Sequence, residues 1–447
     1  MIKSLDRKLA AIHANPDCNE FILADAKDAD MALGLGAPGL SPELHAGEVR
    51  FKTLEEYREQ MRLITKQALV DIMLMSASSS HALTLQERLF ENSPVTPAIR
   101  ANDTTDIHLA RGSNYAKDFA LPFRTASLDH AQCGHLDCSA EERTLGANLG
   151  LYSVTFNNDL AHDIETLRRF HAFREEAERK GFRYFLEVFD PNMPGRIAPD
   201  ILPFYLNDMI TRMLAGVGPA GRPVFLKIVY HGPKAMEELV RFDRNLIVGI
   251  LGGSSGTTRD AFQLLHDAQK YGAKVALFGR KINHSENQLA FVQFLRLIVE
   301  GVIGPVEAVK AYHAVLGKLG IRPLRPLDVD LSLTDQSMSY SGSSTVAVPA
   351  ATSTPSSNGE GKTATAEACQ CHPQTKSASA SNGAAGDCGC HTSAPSAVVS
   401  IASKNVSPEP TAKSNGYPIL NGGRPDFGKM TSDQRLAYHL ERLGLRR

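Results

Sequence analysis

Over residues 1 to about 330, short apolar runs rich in β-branched residues alternate with longer stretches whose apolar positions recur at the helical period. Runs at 20–25, 70–76, 95–103, 150–156, 182–189, 223–230, 245–252 and 273–278 predict eight strands. Amphipathic stretches at 54–69, 84–90, 162–180, 199–215, 233–242, 258–271 and 286–300 predict helices between and after them. Strands that are apolar almost throughout belong to a parallel sheet covered on both faces. Eight of them, each with room for a crossover helix, predict an α/β fold of the (β/α)8 TIM barrel type. An open doubly wound sheet is the competing architecture. Its dinucleotide-binding form lacks support, because no Gly-x-Gly-x-x-Gly opens a helix after the first strand.

The pattern changes beyond the barrel. Residues 341–416 contain no Phe, Tyr or Trp and are dominated by Ser, Ala, Thr, Gly and Pro. Such a chain buries too little apolar surface to offset its conformational entropy. We therefore expect three parts: a barrel at 1–330, a disordered low-complexity linker at 331–424, and a short C-terminal helical segment at 425–447. In the last, Leu436, Leu440 and Leu443 fall at helical spacing after an N-cap at Thr431 or Ser432. Two connections exceed what a crossover helix needs, one between the first two strands and one at about 104–148. We expect the second to roof a pocket at the C-terminal face, where barrel sites are built.

Charge and cysteine usage narrow the function classes. With 48 Lys+Arg against 49 Asp+Glu, the chain has no field to draw it onto nucleic acid or anionic lipid. No apolar run approaches the length of about 20 residues that spans a bilayer, and the first residues lack the apolar core of a signal peptide. We expect a cytoplasmic protein with no nucleic-acid or membrane partner. Seven cysteines, four of them crowded into one polar stretch, point to reduced thiols and not to a secreted disulfide framework.

The candidate chemistry lies at strand ends. Lys227 interrupts the apolar sixth strand, where burial would draw its pKa down and favour a nucleophilic amine. The alternative is a stem lining the wall with its head in water. Glu187 stands in the fifth strand, and neighbouring strands would let it face Lys227, as a structural ion pair or as a proton-transfer partner. The first strand ends with Asp25, Lys27, Asp28 and Asp30, placing charge at the mouth. After the seventh strand come Gly252, Gly253, Ser254 and Ser255, opening a helix, and after the eighth come Gly279 and Arg280. Glycines admit an anion close to the backbone, and hydroxyls and helix-start amides supply donors. The loops after strands seven and eight are the usual phosphate site of a barrel.

Asp25, the Leu186-Glu187-Val188 run, Lys227 within Leu-Lys-Ile-Val, the Gly-Gly-Ser turn and the Gly-Arg turn, in that order, resemble the class I aldolases of the deoxyribose-phosphate and tagatose-bisphosphate aldolase group. The bacterial-archaeal class I fructose-bisphosphate aldolases belong to the same group. The resemblance spans roughly residues 15 to 315 and is clearest in the last four strands. It implies a Schiff-base lyase acting on a phosphorylated ketose or related keto sugar, with no metal or organic cofactor for its chemistry. Lys227 would capture the ketone, Glu187 would transfer protons, and Asp25 would contact the substrate. Lys27, Gly252, Gly253, Ser254, Ser255, Gly279 and Arg280 would bind substrate and its phosphate. A homo-oligomer is expected.

Two groups of soft ligands stand apart. His130, Cys133, His135 and Cys138 are zinc-type side chains within the long loop. The tail repeats Cys-x-Cys-His as Cys369, Cys371, His372 and Cys388, Cys390, His391, able to clip a soft ion or to pair as reversible disulfides. Two competing functions follow. One is a non-catalytic phosphosugar-binding barrel whose tail recruits a protein partner. The other is a metal-dependent lyase or isomerase using the His130–Cys138 cluster.

Overall fold

The computed structural model describes residues 2–40, 51–104, 111–253 and 256–334, together with 413–414, 417–418, 429–431 and 434. Eight parallel strands close into a barrel: β1 (Ile22–Lys27), β2 (Ile72–Met75), β3 (Thr96–Arg100), β4 (Leu149–Thr155), β5 (Arg183–Phe189), β6 (Leu226–Ile228), β7 (Val248–Leu251) and β8 (Val275–Phe278). Each predicted run overlaps one strand; six strands lie within their runs, while β1 extends two residues past its run to Lys27 and β4 starts one residue early at Leu149. Register is continuous around the ring, with Ser153 opposite Glu187, Glu187 opposite Lys227, and Lys227 opposite Gly249.

The long helices are α1 (Ser4–Ala14), α2 (Leu54–Gln67), α3 (Leu160–Arg179), α4 (Leu202–Ala215), α5 (Pro233–Phe242), α6 (Thr258–Lys270), α7 (Gln288–Val299) and α8 (Pro305–Lys318). The sequence pattern missed α1 and α8. After β2 the helical turns lie at Ala77–Ser80 and His81–Gln86 and not at 84–90, because Ser76 accepts from the Ser79 amide and starts the helix early.

Side chains alternate along each strand between the barrel interior and the helical layer. Ile22, Ala24, Ala26, Ile72, Leu74, Ala98, Leu149, Leu151, Phe185, Phe225, Ile247, Val275 and Leu277 form one inner cluster, into which α1 inserts Leu5, Leu9 and Ile12. The lower barrel is thus a dry apolar plug, closed by a helix preceding the first strand. In the same inward phase but further along the strands stand Arg100, Ser153, Glu187 and Lys227, which puts a polar layer at the C-terminal end.

The described part of the long loop divides between the two ends of the barrel: at the C-terminal end Asn192, beyond β5, donates to the Asp118 carbonyl at 2.7 Å and accepts from the Ala120 amide at 3.2 Å, although no described residue of the loop lines the cleft there. Asp103–Thr104 pairs with Pro122–Phe123, and the chain then runs along α3, held by Arg169 to the Pro122 carbonyl at 2.6 Å and by Lys180 to Asp129 at 2.9 Å. It ends on a short helix, Leu128–Cys133, beside Asn148 and Lys180, at the N-terminal ends of the strands. Barrel contacts continue past residue 330: the Thr258 amide donates to Asp330 at 2.8 Å, and the Thr334 amide to Asp260 at 2.9 Å.

Ser254, Ser255, the two Cys-x-Cys-His motifs and most of 331–447 lie outside the described residues. Thr431 and Gln434 exchange the reciprocal bonds of a capping box, with Thr431 in the N-cap role. The remainder of the predicted terminal helix lies outside the described residues. Among the described residues, no helix is long and apolar enough to cross a membrane.

Candidate active site

The polar layer above the apolar plug is one connected network. Lys227 Nζ lies 2.6 Å from Glu187 Oε1. Ser153 Oγ donates to Glu187 Oε2 at 2.7 Å and accepts from Arg100 Nη2 at 3.1 Å. Arg100 Nη1 donates to Asp28 Oδ2 at 2.9 Å and stands 3.9 Å from Glu187 Oε2. All five side chains are buried, Glu187 and Arg100 at 1 % exposure and Lys227 at 8 %. Burial opposes the charge on Arg100, but the Asp28 and Glu187 carboxylates outweigh it and hold the guanidinium pKa above its usual value. Asn102 fixes Ser153 from behind, accepting from its amide at 2.7 Å and donating to its carbonyl at 2.8 Å.

Above the network opens a cleft of about 530 Å³, counted out to solvent, lined by Asp28, Arg100, Glu187 and Lys227. Gly252, Gly253, Gly279 and Arg280 line the same cleft. Gly252 is required sterically, since a Cβ there would come within 2.2 Å of the Phe278 ring. Gly253 turns the chain at φ +61°.

The amides at the start of α6 are committed within the protein. Those of Thr257 and Asp260 exchange capping-box bonds with each other's side chains, and that of Thr258 donates to Asp330. Donation from this helix start to a phosphate, expected from the sequence, is therefore unsupported at Thr257, Thr258 and Asp260. Of the expected anion contacts that are described, Gly252, Gly253, Gly279 and Arg280 reach the cleft. Behind them Lys281 donates to the Gly256 carbonyl at 2.7 Å, and burial pushes its pKa down to about 8.

Asp25 and Lys27 do not reach the cleft. Their register partners Met73, Met75 and Phe278 all belong to the outer layer, so alternation turns both side chains toward the helices. There Lys27 pairs with Asp25 at 3.1 Å, donates to Gln288 Oε1 at 3.0 Å, and bonds Asn283. Burial pushes the Asp25 carboxyl up and the Lys27 amine down, each toward its neutral form. The first-strand carboxylate at the mouth is instead Asp28, just beyond the strand end. Sequence reasoning also passed over Arg100 and Ser153. The phase set by Glu187 and Lys227, carried around the ring by register, is the signal that would have found them.

The loop cysteines depart from expectation as well. Cys133 and Cys138 form a disulfide, so this pair is not reduced. His130 is exposed and falls outside the group formed by Cys133, His135 and Glu142. The cluster sits at the N-terminal ends of the strands, opposite the cleft, so it cannot deliver a metal to Lys227 and Glu187.

Fold and site together define a (β/α)8 barrel with a buried lysine–glutamate pair under a glycine-lined cleft. No family model and no curated protein matches the chain. Among solved structures, it is similar to a Schiff-base-forming fructose-1,6-bisphosphate aldolase at 16% identity and TM-score 0.46, covering 66% of this chain and 100% of that one. It is similar to an archaeal fructose 1,6-bisphosphate aldolase at 15% identity and TM-score 0.46, covering 67% and 100%. It is more distantly similar to N-acetylneuraminate lyase from Fusobacterium nucleatum, at 11% identity and TM-score 0.36, covering 68% and 82%.

Proposed function

We propose that the protein is a class I, Schiff-base aldolase-type lyase acting on a phosphorylated ketose or related keto sugar, with Lys227 as the amine. The observation that carries this reading is the 2.6 Å contact of Lys227 with Glu187 at the floor of a cleft whose rim is Gly252, Gly253, Gly279 and Arg280. The unprotonated Lys227 amine adds to the substrate ketone, and the carbinolamine loses its hydroxyl as water to leave an iminium. A carboxylate takes the proton of the hydroxyl two carbons from the iminium carbon. The carbon–carbon bond then breaks toward the iminium, releasing an aldehyde and leaving an enamine. Protonation of the enamine carbon and addition of water return the second product and the free amine.

Glu187 is placed to hold and pass these protons, with Ser153 and Arg100 bonding or facing its second oxygen. Asp28 and Arg100 line the cleft as a pair and are suited to orient sugar hydroxyls. Gly252, Gly253, Gly279 and Arg280 are suited to hold the phosphate.

The same short ion pair favours a second reading, a non-catalytic phosphosugar-binding barrel in which Lys227 and Glu187 are structural. A panel of phosphorylated ketoses separates the two. The lyase reading expects borohydride-dependent mass gain and aldehyde release with wild type, both lost in Lys227→Met. Saturable binding without adduct or turnover would leave only the binding reading.

A further inference from the structure

The disulfide loop carries features that the cleft chemistry does not use. Ligand atoms of Cys133, His135 and Glu142 lie within 4.8 Å of one another, and Cys138 is joined to Cys133 through its sulfur. His135 donates Nδ1–H to the Leu136 carbonyl at 2.7 Å, which directs Nε2 outward, and Nε2 stands 3.2 Å from Glu142 Oε1. A backbone carbonyl on the far nitrogen is how metal-ligating histidines are oriented.

The loop is also held without the disulfide. Arg143 bonds Asp129 at 3.0 Å, Gln132 at 2.8 Å and the Cys138 carbonyl at 3.0 Å. The Ser139 amide donates to Glu142 at 2.8 Å, and the Gly146 amide to the Gln132 carbonyl at 2.7 Å. Cleaving the sulfur–sulfur bond therefore leaves two thiols beside an oriented imidazole and a carboxylate on a fixed frame.

We infer that this loop is a redox-gated zinc site: oxidised it is closed by the Cys133–Cys138 disulfide, and reduced it binds one Zn2+ through Cys133, Cys138, His135 and Glu142. A dithiol reductant supplies two electrons and two protons, converting the disulfide to two thiols while itself becoming a disulfide. Zn2+ then displaces both thiol protons to solvent and takes the Nε2 lone pair of the imidazole whose Nδ1–H is held by the Leu136 carbonyl. Tetrahedral zinc with ligand distances of about 2.0–2.3 Å separates its ligand atoms by about 3.3–3.8 Å. Ligand atoms already within 4.8 Å of one another need to close by no more than about 1–1.5 Å, and the two sulfurs move apart, both by side-chain rotation.

The test uses the full chain with Cys369, Cys371, Cys388 and Cys390 replaced by Ser, so that tail thiols do not contribute. Co2+ and Zn2+ are added to oxidised and dithiothreitol-reduced protein, reductant is removed anaerobically, and metal per chain is counted. Reduced protein is expected to hold one ion, with the absorption of tetrahedral thiolate-bound cobalt and with Cys133 and Cys138 protected from alkylation. Oxidised protein is expected to hold none. Cys133→Ser should abolish binding, and His135→Ala, which leaves the disulfide intact, should weaken it by about tenfold or more. No cobalt in the reduced protein, equal metal in both redox states, or unchanged binding in either variant would overturn the inference.

Discussion

Replacing Lys227 with Met keeps the aliphatic stem and removes the charge that faces Glu187. Removing one partner of a buried ion pair ordinarily costs about 3–5 kcal/mol, because it strands a buried charge. Here Glu187 keeps a donor in Ser153 at 2.7 Å and a guanidinium in Arg100 at 3.9 Å. At an effective dielectric near 20, cations at 2.6 Å and 3.9 Å attract a carboxylate by about 6 and about 4 kcal/mol before desolvation. About two-fifths of that attraction thus survives, together with the Ser153 bond, and Lys227→Met is expected to cost about 2–3 kcal/mol, at the low end of the usual cost. Arg100→Met deprives Asp28 of its partner and is expected to cost about 3 kcal/mol. With both cations gone, Glu187 has none, and the double variant should lose about 1–3 kcal/mol more than the sum of the singles. Urea unfolding of the full chain, followed by circular dichroism and extrapolated linearly, measures each term. Additivity within about 0.5 kcal/mol would refute the idea that Arg100 and Lys227 share the Glu187 charge.

Lys281 gives a pH prediction. Its pKa is about 8 in the folded protein against 10.5 ordinarily. Between those values the unfolded chain binds the extra proton, so stability rises with pH across that window, by up to about 3 kcal/mol at ~1.4 kcal/mol per pH unit. In Lys281→Met this rise should be absent, and identical slopes in thermal melts of the two proteins at pH 8–10.5 would contradict it. Gly252→Ala places a methyl against the Phe278 ring and is expected to cost about 1–3 kcal/mol in urea titrations. Asp28→Asn should weaken sugar-phosphate capture by about tenfold or more, while Asp25→Asn, behind the wall, should lower stability and retain capture. The reverse pattern in a binding titration would place Asp25, not Asp28, at the substrate.

The strands were legible because barrel strands are buried on both faces and stand out as continuous apolar runs between helical periods. That same continuity hid the phase of β1. Its inward positions above Ile22 are Ala24 and Ala26, small and inconspicuous, while Asp25 and Lys27 face outward into a polar pocket completed by Asn283 and Gln288 from distant sequence. Lys227 and Glu187 were readable as charges in apolar strands whose register makes them opposite. Ser153 and Arg100 were not, since a serine in a strand and an arginine at a strand end signal nothing until the ring closes. The commitment of the α6 amides depends on Asp330, 72 residues away along the chain. The disulfide depends on a turn whose local spacing gives no hint of the pairing.

The central claim is that the Lys227 amine becomes covalently bonded to a carbonyl substrate. Peptide mapping of the full chain after borohydride treatment with phosphorylated ketoses addresses it directly. The account predicts one reduced adduct, on the peptide bearing Lys227. An adduct on Lys281 or any other lysine, or cleavage of the sugar with no adduct on Lys227, would contradict it.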